Sequence, residues 1–466
     1  ASRALTIAAG TGNVTFTGAV GGGTALGAVA ITAATTTNSS TWVGSSTLGI
    51  TGNTVINGAI SGITSISVSG TTSLGANVTT TGASGQTYTG AVTISGSAVT
   101  LNSSSGNGTV LFSSTVNSAA TAANPLTVSA GSGNVTFTGV VGGATDGALG
   151  ALTVNTTGTT TFSAAVTAAS VTTDAGGTTA MNGGTITTTG AQTYNEAVTL
   201  GAATTLSAAS ITTGSTMAAG SNALTLTTDA IALGGNLSGS STLTIQPKTA
   251  STTIAIGSAA TGALKLDDAE LAYLVDGFSG ITIGSTAGTG AIAINYTTPY
   301  TFLDPLTIRS NTSGGGAIAA TSALNTGTNA LTVTTGGAVS VAGITSGALA
   351  ITGTGITLNN NITTTGSQTY TGAVTLGDAI TLTSNNNTVS FSGSGSTVNG
   401  AKDFTVNAGS GAINFGGVVG GSSVLSSLAL TTTHTTGITL SGNITTTGSQ
   451  AYNGNVILSG SNVTLL

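Results

Sequence analysis

One short pattern recurs three times in this chain, and repetition of that kind constrains the fold before any other feature is read. It runs LTIAAGTGNVTFTGAVGG at Leu5–Gly22, LTVSAGSGNVTFTGVVGG at Leu126–Gly143 and FTVNAGSGAINFGGVVGG at Phe404–Gly421. Apolar and polar residues alternate within each copy. Val14 and Phe16 face one way while Asn13 and Thr15 face the other, and the same holds for Val135 with Phe137 and Ile413 with Phe415. A period of two means strands. Phe16, Phe137 and Phe415 are therefore expected to be buried at equivalent coil positions.

A second pattern reads TTTGASGQTYTGAVTI at Thr79–Ile94 and ITTTGAQTYNEAVTL at Ile186–Leu200. It returns as ITTTGSQTYTGAVTL at Ile362–Leu376 and ITTTGSQAYNGNVIL at Ile444–Leu458. The two patterns alternate within a larger module of roughly 80–110 residues. A shorter beat lies underneath. The triplets Ile281-Thr282-Ile283, Leu306-Thr307-Ile308 and Leu331-Thr332-Val333 are evenly spaced, and Val128 and Val154 occupy matching settings. A beat of roughly 18–26 residues suits one coil of a parallel β-helix with two or three short strands per turn.

Composition removes the competing classes. Hydrophobic residues reach 39% and mean hydropathy is +0.42, which argues against disorder. The 73 glycines follow no three-residue period, so collagen fails. No uninterrupted apolar run approaches the ~20 residues of a transmembrane helix. Charged residues are only 3%, against about 25% in ordinary domains. Stacked coils explain that scarcity: like charges at strand spacing repel, whereas ladders of Thr and Ser do not. The expected fold is an all-β parallel β-helix (β-solenoid) of about 20 coils. Solenoid repeats at 1–264 and 281–466 form one continuous solenoid around a charged insertion at 265–280, helical near 266–275.

The LTV-x-AGSGNVTF and ITTTG-x-QTY-x-x-AVTL units, with the central LDDAELAYLVDGFSGITIGSTAGTGAI, resemble the repeats of filamentous-haemagglutinin-like bacterial surface proteins. The resemblance covers nearly the whole chain. It implies a right-handed β-helix, secretion to the bacterial cell surface, and a structural or adhesive role. Nothing resembles that family's N-terminal secretion-and-capping domain, and the chain opens on Ala1. An interior segment or a processed product is the expectation. Both ends fall inside repeat sequence, so continuation of the chain or head-to-tail contact with other copies is expected, giving an open filament.

Few residues offer chemistry. Lys265, Asp267, Asp268, Glu270 and Asp276 crowd into one segment of a chain with 5 basic and 11 acidic residues in all. Asp267, Asp268 and Glu270 could form a carboxylate site for a cation or glycan. The favoured reading is a short amphipathic insertion with an acidic helix start and Leu271 and Leu274 on one side. Tyr88, Tyr194, Tyr370 and Tyr452 recur in register and could be stacking platforms for surface glycans. The favoured alternative packs each ring at a corner of the core with its hydroxyl in water. Gln86, Gln192, Gln368 and Gln450 are expected to satisfy turn backbone, and Trp42 to pack locally.

Other functions find little support. Acid–base catalysis needs clustered carboxylates with basic partners, and Asp267 and Asp268 are adjacent, so the chain is not expected to be an enzyme. Five basic residues (Arg3, Lys248, Lys265, Arg309 and Lys402) make nucleic acid an improbable partner. His434 is the lone histidine and Cys is absent. The nearest approach to a calcium nonapeptide, Gly142 to Asp146, is not iterated. No cofactor or metal is expected. Ice binding would require a Thr-x-Thr face at every coil, whereas the Thr triplets at 79–81, 187–189, 363–365 and 445–447 come once per module.

Overall fold

The computed structural model describes every residue except 1, 146, 393, 394 and 461. Asp146, the acidic residue of the nonapeptide-like stretch, thus lies outside the described residues. The chain is nearly all β, with 2% helix, and its parallel strands stack as a β-solenoid of about 23 turns. The count exceeds the expected 20 because many coils use the short end of the 18–26-residue beat. Contacts divide the chain into two compact units, residues 1–226 with 232–239, and residues 227–231 with 240–466.

In the first unit each coil lends strands to three columns. One column runs Leu5, Val29, Leu48, Ile66, Gln86, Val110, Val135. A second runs Val14, Thr36, Thr54, Thr72, Val92, Val116, Val141. The third runs Val20, Trp42, Ile60, Val78, Leu101, Val128, Val154. Alternation in each strand sends these side chains inward and their neighbours outward, so inward residues stack on inward residues from coil to coil, mostly apolar but with Thr36, Thr54, Thr72 and Gln86 among them. Two positions along the first column a second inward ladder passes from Val68 to Tyr88, Phe112, Phe137, Phe162 and Met181. Its rings stack nearly parallel, with centroids 5.5, 4.9 and 5.4 Å apart from Tyr88 to Phe162.

The second unit follows the same rule. The evenly spaced triplets are in register, Ile281 on Leu306 on Leu331. The ladder beside them carries Tyr370, Phe391 and Phe415, stacked at 5.0 and 4.8 Å.

The repeated sequence does not keep to one side of the coil. Leu5 of the first copy shares a column with Val135 of the second, and Val14 shares one with Val141. The second copy is therefore advanced by one side relative to the first. This corrects the expectation for the phenylalanines. Phe137 and Phe415 are buried, but Phe16 is half-buried, stacks on Asn38 in another column and meets Trp42 edge-on at 4.9 Å.

The first glycine of each VGG ending has a strict role. Gly21, Gly142 and Gly420 have φ of +70°, +69° and +74°, and a Cβ there would sit 2.0, 2.0 and 2.1 Å from the carbonyl oxygens of Val43, Thr167 and Thr445 in the next coil. Positive φ and close coil stacking both demand glycine at these corners.

The insertion forms as expected but is shorter. Helix α1 spans Asp268–Ala272, one turn rather than the 266–275 foreseen. Asp267 accepts from the Glu270 amide at 2.8 Å while Glu270 reaches back to the Asp267 amide at 3.0 Å, a complete capping box. Leu271 and Leu274 are buried beneath it.

Candidate functional site

The tyrosines of the second pattern were the most distinctive candidates, and the structure places them inside. Tyr88, Tyr194 and Tyr370 are fully buried, and Tyr452, in the last coil, is half-buried. For Tyr88, Tyr194 and Tyr370 the surface-contact reading is corrected: rings enclosed by coil stacking present no face to a sugar. The hydroxyls of these three do not reach water either. Each of the four tyrosine hydroxyls donates to the Gln two residues earlier, which shares its inward face, at 2.8, 3.1, 2.8 and 2.8 Å along the chain. Burial pushes the phenolic pKa values up in all four.

The glutamines complete a clip between coils. Gln86 Nε2 donates to the carbonyls of Val78 in its own coil and Asn102 in the next, at 3.0 and 3.3 Å. Gln192 bonds Ile186 and Ser207 at 2.9 and 3.1 Å. Gln368 and Gln450 use the hydroxyls of Thr364 and Thr446 in their own coils and the carbonyls of Thr383 and Leu466 ahead. Buried polar groups persist only when bonded, and this pair satisfies itself wherever it recurs. The motif is structural.

One copy departs from the pattern. Gly90, Gly372 and Gly454 follow their Gln-x-Tyr by two residues, but Glu196 takes that place after Tyr194. Its side chain is buried, and Thr179 donates to Oε1 at 2.5 Å. Burial, opposed by the Thr179 hydrogen bond and reinforced by Asp174, raises its pKa to about 7. Sequence reasoning passed over Glu196, although its replacement of an otherwise repeated glycine was a visible signal.

The carboxylates proposed as a surface site are occupied with the fold. Asp267 and Glu270 are joined in the capping box. Asp268 accepts from the Ser258 amide at 2.7 Å and from the amides of Thr297 and Thr298 at 2.9 and 3.1 Å, with the Thr297 hydroxyl as a further donor. Desolvation works against ionisation here, but these donors outweigh it and lower the Asp268 pKa to about 2. Asp268 thereby ties α1 to the loop of the following coil, and Tyr300 adds a hydrogen bond from its hydroxyl to the Leu271 carbonyl at 2.6 Å. Lys265, drawn into the same segment, donates to the Ser258 carbonyl.

The remaining candidates are local. The His434 Nδ1 accepts from the Thr436 amide at 3.1 Å, closing its own turn. Trp42 is buried against Phe16. A recess of 550 Å³ is lined by Thr312, Thr335, Thr352, Thr354, Thr371 and Ser392 with glycines between, and holds no charged or aromatic side chain. Among the described residues no group of three or more His, Cys, Asp or Glu is placed to hold a metal ion, and no helix is long and apolar enough to cross a membrane. No family model matches the chain, and no curated protein or solved structure matches it.

Proposed function

We propose that this chain is a structural or adhesive segment of an extracellular fibre on a bacterial surface, of the filamentous-haemagglutinin-like kind, with no catalytic part. The observation that carries the reading is the long uniform stack itself, parallel strands in a β-solenoid of about 23 turns from a chain with only 5 basic and 11 acidic residues. The neutral polar exterior suits close lateral neighbours, since few charges exist to repel them. The chemistry found inside supports the same reading: Gln–Tyr clips, aromatic stacks and a capped insertion all serve coil cohesion.

Electron microscopy and concentration-dependent light scattering of this polypeptide test the self-assembling form. End-to-end filaments or a rising mass are expected. Particles that stay monomeric at every concentration overturn assembly between copies. A native protein of only 43.8 kDa that also stays monomeric removes the fibre reading altogether.

A further inference from the structure

The outer side of the third column in the first unit carries one threonine from each of six successive coils. Thr100 lies beside Thr127, Thr127 beside Thr153, Thr153 beside Thr172, Thr172 beside Thr193 and Thr193 beside Thr212, every step in direct strand register. The Thr triplets of the sequence come once per module and hide this row, because none of its members belongs to a triplet. All six side chains are half-buried between their neighbours. The outward position two residues on is polar in five of these coils, with Asn102, Ser129, Asn155, Asp174 and Asn195. The position two residues before holds only Ala, Pro or Ser, so no long or aromatic side chain flanks the row.

The hydroxyls of this row differ from other outward hydroxyls of the solenoid. Elsewhere neighbouring coils pair them, as Thr159 with Thr178 at 3.1 Å and Ser73 with Ser95 at 2.8 Å. Among the described residues none of the six bonds another protein group, and each reaches solvent. Strands stack at about 4.8 Å, well beyond the ~2.8 Å of a hydroxyl hydrogen bond, so water completes each of these hydroxyls. The β-branch of Thr leaves little freedom at χ1, and packing against the coil on either side removes more. Water bound here is therefore held on the strand spacing, over about 24 Å from the first coil to the last.

A water ladder of that repeat is a template. In ordinary ice, water oxygens recur along a crystal axis at nearly the strand spacing, and the ice surface offers both donors and acceptors to fixed hydroxyls. One such contact contributes little, but six set by one scaffold are ordered before the ligand arrives. Charges would hold water in shells of their own, and Asp174 is the one charged residue in the row or at its flanking positions. We propose that the row from Thr100 to Thr212 is an ice-binding face. It supplies the outward Thr at every coil, with Asn or Ser in place of a second Thr in most of them. The inference goes beyond the fibre reading and does not depend on it, since a free rod and a surface fibre present the same face.

Thermal hysteresis and ice-affinity partition of the full chain test it, with circular dichroism confirming that each variant is folded. The unaltered chain is expected to concentrate in slowly grown ice and to hold the freezing point below the melting point. Thr153→Tyr with Thr172→Tyr, which raises two rings in the middle of the row, should abolish both effects. Thr93→Lys, outward and exposed in the second column, should leave both unchanged. Exclusion of the unaltered chain from ice overturns the proposal without recourse to any variant. Ice binding that the double change leaves intact overturns it too, and equal loss from Thr93→Lys overturns the assignment to this row.

Discussion

Replacing Gln86 by Met keeps the volume of the side chain and removes its hydrogen bonds, which makes the coil clip open to measurement. Tyr88 then has a buried hydroxyl with no acceptor, at a cost of about 1–3 kcal/mol. The carbonyls of Val78 and Asn102 each lose a donor, at about 0.5–1.5 kcal/mol apiece. The expected destabilisation is about 2–6 kcal/mol. Tyr88→Phe alone strands Gln86 Oε1 and should cost about 1–3 kcal/mol. In the Gln86→Met background the same Tyr88→Phe change removes an orphaned hydroxyl, so it should be neutral or stabilising. The double-mutant cycle should therefore show a coupling of about 1–3 kcal/mol. Long repeat arrays need not unfold in one step, so the assay is native-state hydrogen exchange of the amides between Val78 and Phe112. If Tyr88→Phe costs the same in both backgrounds, the clip is not an energetic unit and the argument fails.

Phe137→Ala opens a gap between two stacked rings and should cost about 3–5 kcal/mol, while Phe16→Ala, at a half-buried site, should cost clearly less; equal losses in denaturant unfolding would contradict the column assignment. Glu196 has a pKa raised in the folded chain to about 7, so its contribution is fully present below about pH 4.5 and is lost as pH rises through 7. That contribution is at most about 3 kcal/mol, the ceiling set by the size of the shift. Glu196→Gln should flatten stability between pH 5 and about 8, and an unchanged profile would remove the carboxyl from the account. Asp268 has the opposite sign: its pKa is lowered to about 2, so its support is present above about pH 4 and lost as pH falls toward 2. Asp268→Ala should raise exchange of the Ser258, Thr297 and Thr298 amides at neutral pH, and unchanged protection there would show that the loop is held by other contacts.

The coil was legible because stacking writes the same demand into sequence again and again. The even spacing of Ile281, Leu306 and Leu331 gave the register directly, and alternation through Val14 and Phe16 gave the strands. Direction was harder. Thr36, Thr54 and Thr72 face inward although hydropathy alone would put them outside, and only parity with neighbouring strands reveals it. The tyrosines show the same difficulty from the other side. Recurrence of Gln-x-Tyr marks a shared environment, but whether the ring is platform or core depends on which neighbours stack over it.

The displaced repeat explains why the module is long while the coil is short. Each side of a coil asks for one thing, an inward pair of apolar residues ended by a turn, and all three sides ask for it equally. The pattern Leu5–Gly22 supplies strand, turn, strand, turn and a VGG corner, so it fits whichever side it enters on. Duplicating a stretch of several coils therefore has no need to preserve the side, only the parity of the strands and the glycines at corners. Gly21 and Gly142 stand at different corners and make the same contact with the next coil, at the Val43 and Thr167 carbonyls. Tyr88 and Tyr194 likewise lie in different columns, since Tyr88 stacks under Phe112 and Tyr194 over Thr173, yet each finds its Gln. What the repeats conserve among themselves is the local solution to a side of the coil, and the solenoid follows from stacking those solutions in register.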